Sequence, residues 1–271
     1  MMRQKRYVEA GDQCRLCYVE EGEGQPVVFL HGWSSTGIGS FGRFIKALKK
    51  DARCICPDLR GHGSSDVKGS VSIDRLIDDL HELILALTLQ EVILVGHSLG
   101  GLVIYGYFAK YQGDRIAGVH ILDMSPKVLC DSSWNYGLRL ADDPFSAYME
   151  RILQGRTGET MALEGTWLKS WANDLVMMSA APFGFVLYAL WLDMLDADYR
   201  EGLGKTSVPM VYYHTNHGMY PSAITEWLKR ATNGPFQSVD LFPANHFTML
   251  EKTEPLVLEI KKMLNKKRKG R

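Results

Sequence analysis

The sequence is short of several things, and each shortage excludes a class of protein. It has no excess charge: 31 Lys and Arg balance 31 Asp and Glu over 271 residues. No global field would therefore steer it to nucleic acid or to an acidic membrane surface. It has no apolar run near the ~18 residues that a bilayer span needs. Its first stretch, MMRQKRYVEAGDQ, is polar and lacks the apolar segment of a secretory signal. Five cysteines are an odd number, which argues against a complete disulfide framework. Cys14 and Cys17 form a C-x-x-C, yet no second pair stands at ligand spacing and the segment alternates like a strand, so no metal is expected there. Cys54 and Cys56 lie in an apolar run and read as small core residues. The basic stretch 265–271, NKKRKGR, reads as a solvated terminus rather than a binding arm. The expectation is a soluble, cytoplasmic protein with neither nucleic-acid nor membrane partners, and with no signal for oligomeric state.

What is present is alternation. Short apolar runs at 27–30, 53–56, 92–95, 119–122, 210–213 and 239–242 suit strands buried on both faces, as in a parallel sheet. Amphipathic segments lie between them. Ile73, Leu76, Ile77, Leu80, Leu83, Ile84 and Leu87 recur at helical spacing with Asp74, Asp78, Asp79 and Glu82 off that stripe, and Leu256, Val257, Ile260, Met263 and Leu264 repeat the pattern. Such alternation implies βαβ units with right-handed crossovers. The first two segments, 6–10 and 14–20, flank Gly11-Asp12, a hairpin signal, and predict an antiparallel edge.

One connection is too long. No parallel strand is evident from 127 to 205, although a crossover needs far fewer residues. Four of the six tryptophans fall there (Trp134, Trp167, Trp171, Trp191), with Met149, Met161, Met177, Met178 and Met194. A helical insertion over something apolar explains that concentration, and some of these side chains would simply fasten it to the main body. Residues 1–126 and 206–271 are expected to form the core and 127–205 the insertion.

The stretch VGHSLGG, residues 95–101, carries chemistry. Gly-x-Ser-x-Gly is weak in isolation, but Ser98 directly follows the strand run at 92–95 and precedes a helical run at 99–110. A sharp strand-to-helix turn strains the serine and exposes its hydroxyl. Gly96 and Gly100 leave the room that side chains two residues either side of Ser98 would take. The helix N-terminus aims its amides and positive dipole end at the site, and the N–H of Leu99 is one expected oxyanion donor.

LHGW at 30–33, PDLRGHGSSD at 57–66, GHSLGG at 96–101 and NHFTMLEKTEPL at 245–256 occur in the order and spacing of the α/β-hydrolases, which the whole chain resembles. The resemblance implies a mostly parallel eight-stranded sheet flanked by helices, with a helical cap inserted after the sixth strand at 127–205. It implies Trp33 N–H as the second oxyanion donor, and His246, in a loop between the last strand and a helix, as the base. His31, His62 and His97 belong to turns that the family uses as scaffold. His120, inside a strand run, reads as a satisfied core residue, and His81 lies on a predicted helix. The acid departs from the common pattern: the turn after the seventh strand, residues 214–221 (HTNHGMYP), has no carboxylate. Asn216 would orient an imidazole but stabilise its cation poorly. Some relatives, resembling haloalkane dehalogenases in this respect, place the acid after the sixth strand, where this chain has Asp123 at an apolar sheet edge. Asp198 is a distant competitor, and a structural, turn-capping Asp123 is the bland alternative.

These residues point to a serine hydrolase: Ser98, Asp123 and His246 as a triad, Trp33 and Leu99 at the oxyanion hole, and Trp33, Trp134, Trp167 and Trp191 around a pocket for small to medium apolar esters. No cofactor is required. Lactones, thioesters and carbon–carbon bonds beside a carbonyl use the same machinery. Dehalogenases and epoxide hydrolases need a carboxylate where Ser98 stands. A cofactor-free haloperoxidase side activity and a non-catalytic ligand-binding role are the other readings.

Overall fold

A computed structural model describes residues 3–138, 184–216 and 218–268. Eight strands form one sheet: β1 (Lys5–Glu9), β2 (Arg15–Glu21), β3 (Pro26–Leu30), β4 (Arg53–Pro57), β5 (Val92–His97), β6 (Ile116–Leu122), β7 (Met210–His214) and β8 (Phe236–Asp240), in the order β1-β2-β4-β3-β5-β6-β7-β8. The first two are an antiparallel hairpin and β2 meets β4 antiparallel; the rest are parallel. Strand order reverses at β3, so β3 and β5 end side by side at the switch point where ligands gather in open α/β sheets.

Strand periodicity divides the core cleanly. Val28, Leu30, Val92 and Leu94 face one apolar cluster, while Val27, Phe29, Ile93 and Val95 face the other. The central strands are therefore covered on both sides, which is why they read as unbroken apolar runs. Helix α1 (Gly37–Leu48) and the C-terminal α7 (Thr253–Arg268) cover one face; α2 (Ile73–Ala86) and α3 (Leu99–Tyr111) cover the other. Thr36 caps α1 by accepting from Gly39 N–H at 3.0 Å, and Ser72 caps α2 by accepting from Arg75 N–H at 3.1 Å.

The long connection between β6 and β7 holds α4 (Gly184–Asp196) and a 3-10 helix (Arg200–Lys205) among its described residues. Asp193 on α4 accepts from the first amide of α2, Ile73 N–H, at 2.6 Å. Within the expected insertion, residues 139–183, including Trp167, Trp171, Met149, Met161, Met177 and Met178, lie outside the described residues. Helix α5 (Ile224–Ala231) and the short α6 (Thr248–Glu251) complete the order. Among the described residues, no helix is long and apolar enough to cross a membrane.

The last strand corrects the sequence expectation. It covers 236–240 rather than 239–242. As an edge strand it is mostly exposed, so apolarity did not mark it; Leu241 and Phe242 lie beyond it in the loop leading to His246.

Candidate active site

Ser98 sits between β5 and α3 with φ 50° and ψ −121°. A non-glycine residue in this region is strained by roughly 1–3 kcal/mol, and the surroundings impose it. A β-carbon on Gly100 would stand 2.1 Å from the Leu30 carbonyl oxygen, and one on Gly96 would stand 2.6 Å from that of Gly100. Helix and strands can close on the turn only because both positions lack side chains. Ser98 occupies the N-cap of α3 yet makes no side-chain capping bond, so its hydroxyl is not taken up in the way an ordinary capping serine's would be. Leu99 begins the helix, where amides have no intrahelical acceptor.

The loop after β3 is held by histidine rings. His31 Nε2 accepts from Leu59 N–H at 2.9 Å, which leaves Nδ1 to donate to the Gly32 carbonyl at 2.8 Å. His62 Nε2 accepts from Ser34 N–H at 3.2 Å and its Nδ1 donates to the Arg60 carbonyl at 3.0 Å. Burial pushes His31 down to about 4, and burial with the neighbouring His31 pushes His62 down to about 3. Both rings stay neutral, as an acceptor nitrogen requires. Arg60, fully buried, is gripped by Asp79 at 2.8 and 2.7 Å and by Asp12 at 2.7 and 3.0 Å, which anchors the turn that carries His62.

His246 lies in the loop after β8. Its Nδ1 donates to Asp123 Oδ2 at 2.7 Å. Asp123 directly follows β6, is fully buried, has φ 45°, and also accepts from Met219 N–H at 2.9 Å. With Nδ1 so bound, Nε2 is the nitrogen left to exchange a proton. The backbone of His246 is fixed too: its carbonyl accepts from His97 Nε2 at 2.7 Å, and the two rings lie 4.6 Å apart. Burial, with His246 adding to it, holds His97 well below the usual histidine range. Asn245 ties the loop to Glu251 at 2.6 Å, and Asn216 accepts from Ala244 N–H at 3.1 Å.

Ser98 and His246 line one cleft, with Trp33, Met124, Leu138, Trp191, Met194 and Met219 among its walls. No Asp, Glu, Lys or Arg lines it among the described residues. Trp33 Nε1 donates to the Leu187 carbonyl of α4 at 2.8 Å, and its ring packs 5.4 Å from Trp191.

A sequence profile of the alpha/beta hydrolase fold matches residues 25–166, just over half of the chain. The chain belongs to the α/β-hydrolase fold family. A non-heme chloroperoxidase of Streptomyces lividans is 31% identical over 229 residues, covering 76% of this chain and 80% of that protein. The non-heme chloroperoxidase CPO-A1 of Kitasatospora aureofaciens is 32% identical over 147 residues, and that match spans 53% of the relative's length. In fold, an esterase from Exiguobacterium antarcticum superposes with a TM-score of 0.82 at 23% identity, covering 97% of this chain and 100% of that one.

Within this α/β-hydrolase, the structure brings Trp33, Ser98, Trp191 and His246 to one cleft, with Asp123 behind His246. Trp134 is not on that lining. Its indole donates to the Lys127 carbonyl at 3.0 Å and its ring meets Trp227 edge-on at 4.7 Å, so it fastens the connection to α5 instead. Asp198 is engaged by Arg200 at 2.7 Å and Lys127 at 3.3 Å, away from the histidine. His120 is only half satisfied: Nδ1 bonds the Tyr213 hydroxyl at 2.7 Å while Nε2 is buried without a partner among the described residues. His81 stacks on Tyr111 at 3.8 Å. Cys14 and Cys17 are buried free thiols, and Cys14 Sγ donates to the Asp66 carbonyl at 3.5 Å. The sequence reading missed Met219 N–H and Asn216 as supports of the site. A backbone donor leaves no trace in side-chain type, and the sequence suggests Asn216 as a neutral partner for the imidazole, whereas it braces the loop that carries His246.

Proposed function

We propose that the protein is a serine hydrolase that cleaves esters of small to medium, largely apolar substrates through an acyl-enzyme. The observation that carries this reading is the 2.7 Å bond from His246 to Asp123, made behind a cleft that His246 shares with a strained Ser98. Ser98 Oγ attacks the carbonyl carbon as His246 Nε2 takes its proton. Asp123 stabilises the resulting imidazolium, and the amides of Leu99 and Trp33 receive the oxyanion; one such donor is worth about 3 kcal/mol of barrier. The imidazolium returns its proton to the leaving alcohol. Water, deprotonated by the same nitrogen, then releases the acid and regenerates Ser98. A cleft with no charged side chain among its described walls favours a neutral, apolar acyl group.

Hydrolysis of p-nitrophenyl esters from acetate to laurate tests this directly. Short and medium chains should turn over well, and a succinyl-type charged acyl group poorly. Equal rates for charged and apolar acyl groups would contradict the reading. The chloroperoxidase relatives favour a second use of the same intermediate. Hydrogen peroxide in place of water would attack the acyl carbon, yielding a peracid and free Ser98. Peracid formed from an acetate ester plus peroxide would reveal it.

A further inference from the structure

The turn after β7 has no acid of its own, and its residues surround the acid of another strand. Among the described residues, Asp123 uses a single carboxylate oxygen for its bonds, since His246 and Met219 each donate to Oδ2. Among the described residues Oδ1 is buried with no partner, and so is the hydroxyl of Thr215, on the turn that also carries Gly218 and Met219. The two are neighbours. A β-carbon on Gly218 would stand 2.6 Å from each Asp123 oxygen and 2.3 Å from Thr215 Oγ1. Only glycine lets the turn close there, and the hydroxyl and the carboxylate come within one water's reach of each other. A buried carboxylate oxygen without a donor is costly, and a buried hydroxyl can supply one by rotation about a single bond.

We propose that the Thr215 hydroxyl donates to Asp123 Oδ1, directly or through one water, and that Thr215 is a positioning residue for the triad acid. This rests on the reading of Ser98, His246 and Asp123 as a hydrolytic triad. With Met219 N–H on one oxygen and Thr215 on the other, the carboxylate is fixed in rotation and its Oδ2 stays aimed at His246 Nδ1. At metal centres, removing a group that orients a ligand in this way typically costs about 10- to 100-fold in affinity or activity, and a support of the triad acid is expected to fall at the lower end of that range. Tyr212, on β7, is the rival donor, since its hydroxyl is also buried without a partner.

Kinetics on an ester substrate of the wild-type enzyme separates the possibilities. Thr215→Val keeps shape and removes the hydroxyl; it should lower kcat about tenfold with KM within about twofold, and Thr215→Ser should restore kcat to within about threefold. Tyr212→Phe should leave kcat within about twofold of wild type. A silent Thr215→Val, or a loss that follows Tyr212→Phe instead, overturns the proposal. If Thr215→Val does not fold, a high-resolution crystal structure of the wild-type protein decides: Thr215 Oγ1 hydrogen-bonded to Asp123 Oδ1, or both bonded to one ordered water, supports it, and neither arrangement overturns it. Asp123→Asn distinguishes the two levels of reading. If it is inactive while Thr215→Val is silent, only this inference fails; if it retains wild-type turnover, the triad fails with it.

Discussion

Asp123 and His246 lie 123 positions apart in the chain and 2.7 Å apart at Oδ2 and Nδ1. The carboxylate comes from the end of β6 and the ring from the loop after β8, so β7 passes between the strands that carry them. The turn after β7 lends the pair a backbone amide, Met219 N–H, and contributes no acid.

Asp123→Asn should reduce kcat by about 10³- to 10⁴-fold, because the amide cannot stabilise the imidazolium and presents a donor where an acceptor is needed. The fold should survive, since the substitution preserves volume. Ester kinetics beside a urea melt checks both halves. Wild-type turnover would move the acid elsewhere.

Much of this was legible in the sequence, for physical reasons. The runs at 27–30 and 92–95 fall inside β3 and β5, because central strands covered on both faces must be apolar throughout. The Gly-x-Ser-x-Gly turn is legible because its closure at Gly96 and Gly100 tolerates no side chain. Edge strand β8 was misplaced because its half-exposed residues carry no such constraint. Trp134 shows another limit: tryptophan content marks apolar burial but cannot say whether the burial faces a cleft or a neighbouring helix. The support of Asp123 by Met219 was invisible, being made by a backbone group of a residue 96 positions away.

Gly100→Ala should destabilise the protein by about 3 kcal/mol or more, since backbone rather than a flexible side chain meets the new methyl group. The contact would be 2.1 Å from Leu30 O. A urea midpoint like that of the wild type would show that β3 and α3 can separate at little cost, and the strained setting of Ser98 would lose its cause.

Acid should destabilise the fold well before carboxylates titrate. His31 is held down to about 4, and His62 and His120 to about 3, chiefly by burial, while free histidine sits near 6.5. The unfolded chain therefore binds more protons between those values, and stability falls as pH drops from about 6.5 toward 4, at about 1.4 kcal/mol for each unit by which a ring is depressed. Above about 7 the rings are neutral in both states and this contribution is flat. Thermal midpoints from pH 8 to pH 5 should show a plateau and then a steep decline. A flat profile down to pH 5 would contradict the neutral acceptor roles of His31 and His62.

Reaction with a fluorophosphonate, followed by intact mass and peptide mapping, reports on the nucleophile itself. One adduct per chain is expected, on Ser98, absent in Ser98→Ala and formed far more slowly in His246→Ala. No adduct on the wild-type protein, or an adduct that persists in Ser98→Ala, would contradict this expectation.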